Sequence, residues 1–111
     1  MMDKILLLKD DAIGENGELG HKLMMSFLST LLTMETLPKE MYLLNRAVLL
    51  ATSDIEGVEI LKRLEAKGVK IYACQTCLGY FNVLDALKVG SVGNMQGTIN
   101  AILESSSVIT L

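Results

Sequence analysis

At 111 residues, half of them hydrophobic, the chain is long enough for one domain with its own core and needs no metal or disulfide staple. Its net charge of -3, with Lys and Arg scattered, argues against nucleic acid or an anionic membrane as partner, because both require clustered cations. With no Trp, three Tyr and two Phe, a base-stacking platform is excluded as well.

Ile5–Leu8 is a continuous apolar run that reads as a buried parallel strand. Only Asp3 and Lys4 precede it closely, and four apolar residues are too few for a secretory core or a membrane span. A cytoplasmic protein with reduced thiols is therefore expected. Asp10–Gly20 follows as an acidic, glycine-bearing loop. Gly14, Gly17 and Gly20 fall at phosphate-loop spacing, but Asp10, Asp11, Glu15 and Glu18 would repel phosphate, and the Lys-Ser/Thr that such a loop requires is missing. No nucleotide or flavin is expected.

From Leu19 to Met34 apolar residues recur at helical spacing, through Leu19, Leu23, Phe27 and Leu31, with Met24, Leu28 and Leu32 beside them. Between Leu23 and Met34 no residue is charged, and the outward stripe is Ser26, Ser29, Thr30 and Thr33. A solvated helix face normally carries Lys and Glu, so a second subunit is expected to cover it.

Pro38 punctuates before a strand at Met41–Leu44. Ser53-Asp-Ile-Glu56 is a capping-box pattern, after which Ile55, Val58, Leu61 and Leu64 are predicted to share one buried helical face. Glu59 supports Arg63 four residues on, and Gly68 ends that helix. Val69–Ala73 is the third strand, and Val89–Val92 reads as a short fourth. Asn94 is placed to cap a last helix running to about Leu103, with Ile99, Ile102 and Leu103 inward, before a final strand at Val108–Leu111. Alternating strands and helices predict a three-layer α/β/α sandwich around a mostly parallel five-stranded sheet, with residues 1–111 as a single domain. In such sheets the functional crevice lies at the carboxyl ends of the strands.

The only cysteines, Cys74 and Cys77, stand at that edge, in a CxxC turn between the third strand and a short helix. A thiol in a helix's first turn faces free N–H groups that favour thiolate, and a second thiol three residues on can attack a persulfide or mixed disulfide on the first. No Lys, Arg or His lies within three residues of either, so any activating cation must come from elsewhere in the fold. A zinc site needs four ligands, and only Cys74, Cys77 and His21 are available per chain; no metal and no cofactor is expected. A thioredoxin-like oxidoreductase would carry a proline between the thiols and a neighbouring Trp, both missing. A redox-sensing CxxC module and a purely structural pair of small buried residues stay open. His21 is an auxiliary candidate as base or counter-ion, and Asn45, at the end of the second strand, as a hydrogen-bond donor to the crevice.

In context, the run Val69–Leu78, the segment Glu18–Phe27, the Asn94-Met95 helix start and the ending Ser107–Leu111 together resemble the DsrE/DsrF-like sulfur-relay family. They are most similar to the C-terminal DsrE-like domain of YedF-type selenium-metabolism, sulfurtransferase-like proteins. The resemblance implies a persulfide carrier taking sulfur or selenium from a donor protein and passing it to an acceptor protein, within a homo-oligomer, trimer or hexamer. Counting back from Asn82, which can take the left-handed conformation of the family's helix-ending glycine, the resemblance puts the sulfur on Cys74 and makes Cys77 the auxiliary thiol. The chain differs from relay subunits in having that second cysteine, and in Phe81 where they carry arginine. It also lacks the N-terminal carrier domain usual in YedF-type proteins, which implies a stand-alone protein or a carrier supplied separately.

Overall fold

The computed structural model describes residues 2–111. The chain runs β1 (Met2–Leu8), α1 (Glu18–Leu31), β2 (Pro38–Leu43), a 3-10 helix (Asn45–Ala51), α2 (Ile55–Ala66), β3 (Lys70–Cys74), α3 (Gln75–Tyr80), a 3-10 turn (Leu84–Ala86), β4 (Ser91–Gly93), α4 (Met95–Glu104) and β5 (Ser107–Thr110). All strand pairs are parallel, in the order β4-β3-β2-β1-β5. Among the described residues no helix is long and apolar enough to cross a membrane.

Strand alternation sends Leu6, Leu8, Met41, Leu43, Ile71 and Ala73 to one face, where Met24 and Leu28 of α1 and Leu61 and Leu64 of α2 complete the main core. The other face, bearing Ile5, Tyr42 and Tyr72, lies beneath α4. With both sheet faces covered, an uninterrupted apolar run such as Ile5–Leu8 is what a central parallel strand requires.

Three details differ from the sequence reading. The cap of α2 is Asp54, whose Oδ1 accepts the Gly57 N–H at 2.9 Å, rather than Ser53. Ile55, in the first turn, overhangs the core and is 87% exposed, while Ile60 takes a buried place beside Val58, Leu61 and Leu64.

The third difference is the largest. The inward residues of α4 are Thr98, which is buried, and the half-buried Ala101; Ile99, Ile102 and Leu103 are exposed. The layer below is aromatic. Tyr42 and Tyr72 stack with ring centroids 5.2 Å apart over the sheet, and Tyr42 donates to Glu40 Oε1 at 3.3 Å. Gly97 and Thr98 of α4 face that pair across a cleft of about 250 Å³, while the large apolar side chains of the helix turn out. Burial, followed by the nearby Glu40 carboxylate, pushes the Tyr42 phenol well above its ordinary range and keeps it neutral.

The 3-10 helix Asn45–Ala51 was not foreseen. Ala47, Val48, Leu50 and Ala51 are all fully buried, so this segment acts as a plug between α2, α3 and the ends of β2 and β3.

Candidate functional site

The chain leaving β3 turns through α3 toward the 3-10 plug, whereas the chain leaving β4 enters α4 on the opposite face. Cys74, the last residue of β3, pairs in register with Gly93, the last residue of β4. Neighbouring strand ends therefore diverge at the cysteines, the topology that opens a crevice in parallel sheets.

Cys74 is also the N-cap of α3, and both thiols are free. It belongs to the core cluster and is 8% exposed, while Cys77, one turn later, is half-buried at the surface. With six residues α3 is too short to present much of a dipole. The donor that meets sulfur comes from another element. The main-chain N–H of Asn45 points at Cys77 Sγ, 3.0 Å away. Asn45 reaches it by adopting φ of 53°, in the left-handed region that Asn tolerates better than most residues. Asn82 takes the same conformation (φ 57°) after α3. Burial pushes the Cys77 thiol up, the Asn45 N–H pulls it back, and the adjacent Cys74 thiol adds to the rise, leaving it above its ordinary value.

A cation missing from the sequence neighbourhood of the cysteines stands next to Asn45. Arg46 bridges to Asp11 through Nε (3.3 Å to Oδ1) and Nη2 (3.4 Å to Oδ2), lies 3.8 Å from Asp10, and places its guanidinium 5.9 Å from the centre of the Phe81 ring. Asn16 closes the loop by donating to Asp10 Oδ1 at 2.8 Å and to Asp11 Oδ1 at 2.9 Å. Burial raises the Asp11 carboxyl, but hydrogen bonds involving Asp10, Arg46 and Asn16 outweigh it, and the net shift is downward. Asn45 and Arg46 thus fasten three strand ends together, β1 through Asp10 and Asp11, β2 directly, and β3 through Cys77 and Phe81. Nothing in the local sequence marks Arg46; its partners Asp10 and Asp11 come from the residues that follow β1.

His21 has a different partner. Its Nε2 lies 2.8 Å from Asp54 Oδ2, so the carboxylate that caps α2 also ties down the start of α1. The structure brings Cys74, Cys77 and Asn45 together and joins His21 to the helix cap. Among the described residues no group of three or more His, Cys, Asp or Glu is arranged to hold a metal ion. The larger surface clefts lie along the Ile13–Leu23 loop (about 440 Å³) and beside Glu65–Tyr72 (about 410 Å³).

The fold is a parallel α/β/α sandwich with both cysteines at the carboxyl edge of its third strand. The DsrE/DsrF-like family profile matches residues 14–111, and the chain belongs to that family. Its backbone superposes on the crystal structure of the YchN protein from E. coli with a TM-score of 0.72, over 100% of both chains at 18% identity, a likeness of fold. No curated protein matches in sequence.

Proposed function

We propose that this chain is a cytoplasmic DsrE-like sulfur carrier. Its Cys74–Cys77 pair takes up sulfane sulfur (or selenium) as a persulfide from a donor protein and hands it to an acceptor thiol. The observation that carries the reading is the Asn45 N–H directed at Cys77 Sγ beside a second free thiol, in a chain of this family. A hydrogen bond to sulfur stabilises the anionic form of a thiol or a persulfide against the neutral one. Exposure of the reduced protein to inorganic polysulfide is expected to add the mass of one sulfur atom, removable by a small thiol. An unchanged intact mass overturns the reading. The competing function, a redox-sensing module, is favoured by the adjacency of the thiols. It predicts instead a loss of both thiol hydrogens under mild oxidation and no added sulfur even in a brief polysulfide pulse.

Assembly belongs to the same proposal. Ser26, Ser29 and Thr30 of α1, with Thr33 just past its end, are exposed, as an interface with a second copy would require, but α4 presents the more apolar surface. Leu103 is 77% and Met95 55% exposed, with Ile99 and Val92 nearby. Apolar side chains at adjacent helical positions over an uncharged surface favour a homo-oligomer through this helix. Leu103→Glu combined with Ile99→Glu is expected to lower the mass seen by sedimentation without altering circular dichroism. An unchanged mass in the double variant, or a wild-type protein that sediments as a monomer, removes the α4 interface.

A further inference from the structure

The resemblance assigns the sulfur to the first cysteine; the geometry assigns it to the second. We infer that Cys77 is the thiol that takes the sulfur and that Cys74 is the resolving thiol behind it, an assignment that rests on the sulfur-carrier reading.

Three observations carry the division of labour. Access is the first. Cys74 is 8% exposed and built into the core cluster with Leu43, Ala73 and Leu78, whereas Cys77 is half-buried at the surface. A donor large enough to be a protein or a polysulfide chain meets Cys77 first. The second is the donor hydrogen bond. The Asn45 N–H approaches Cys77, and a persulfide or thiolate there keeps that partner. The third is placement. Cys74 is the N-cap of α3 and Cys77 lies one turn on, close enough for the two thiols to influence each other's ionisation.

The chemistry follows in balanced steps. The Cys77 thiolate attacks a terminal sulfur of polysulfide. One S–S bond forms and one breaks, and the shortened polysulfide leaves with the electron pair. With an acceptor thiolate present, attack on the outer sulfur moves it to the acceptor and returns Cys77 as thiolate. Without one, Cys74 loses its proton and attacks the Cys77 sulfur. The Cys74–Cys77 disulfide forms, and the outer sulfur leaves with the electron pair and takes up that proton as hydrogen sulfide. The outer sulfur is reduced and the two cysteine sulfurs are oxidised. A dithiol reductant is then required to reset the pair. Cys74 thereby limits how long an undelivered sulfur persists.

The test compares wild type, Cys74→Ala and Cys77→Ser after a short polysulfide pulse, trapping with iodoacetamide, intact mass and a sulfide assay. Cys74→Ala leaves no polar atom in the buried position and so preserves the core. It is expected to load one sulfur atom and to hold it, with no sulfide released. Wild type is expected to load and then release sulfide as the disulfide appears. Cys77→Ser is expected to load at least about tenfold more slowly, because the remaining thiol is buried. Loading of Cys74→Ala is expected to rise with pH on the alkaline side of neutrality, following the thiolate. The inference is overturned if Cys77→Ser loads at the wild-type rate with sulfur on Cys74, or if Cys74→Ala releases sulfide as fast as wild type. If wild type itself takes up no sulfur, the sulfur-carrier reading fails along with it.

Discussion

Gly90→Ala is expected to destabilise the fold by ~2–4 kcal/mol, read as a lower urea midpoint with an unchanged slope. Gly90 precedes β4 with φ of 77°, in the left-handed region where a Cβ costs about 1–2 kcal/mol. The added Cβ would also sit 2.6 Å from the carbonyl oxygen of Ile71, which is backbone of β3 and cannot swing aside. The Gly90 N–H donates to Glu65 Oε2 at 3.0 Å, so a shift there disturbs the end of α2 as well. Gly14 separates the two contributions. It has the same φ of 77° with nothing near its would-be Cβ. Gly14→Ala is therefore expected to show the dihedral cost alone, and the excess at Gly90 measures the contact with β3. Equal losses at both positions would mean that β4 moves freely to accommodate the methyl group.

The readable parts of this chain were those whose burial is enforced by the sheet. Ile5–Leu8 shows a continuous apolar run, and Val69–Ala73 one broken only by Lys70, because parallel strands are covered on both faces, and helices connect them in only a few ways. The cysteine turn was legible from spacing, and the left-handed Asn82 after α3 from the family resemblance. What failed depended on contacts far apart in sequence. The surface facing α4 is built from Tyr42 and Tyr72 of two other strands, which no local window contains. Helical spacing groups Ile99, Ile102 and Leu103 but does not say whether the group faces the sheet or a second copy of the chain. Likewise, the access order of the two thiols depends on how the plug Asn45–Ala51 packs beneath them, and that segment has neither strand nor helix periodicity. Arg46 was invisible for the same reason, since its carboxylate partners lie 35 residues or more upstream.

Leu61→Ala is expected to cost ~2–5 kcal/mol, whereas Ile55→Ala, six residues earlier on the same helix, is expected to change stability by less than about 0.5 kcal/mol. Spacing alone assigns both residues to one apolar face. Leu61 is fully buried against the sheet among Leu64, Ile71 and Met41, so truncation leaves a void in a close-packed layer that relaxes only in part. Ile55 stands at the first turn, where Asp54 caps the helix and ties it to His21, and its side chain is in water. Two urea titrations decide the matter. Comparable losses would mean that Ile55 packs against something in solution, and the natural occupant would then be a neighbouring copy of this chain. A small effect at Ile55 confines the hydrophobic contribution of α2 to Val58, Ile60, Leu61 and Leu64. The first turn then acts through its cap, holding the starts of α1 and α2 together beside the plug that carries Asn45 to Cys77.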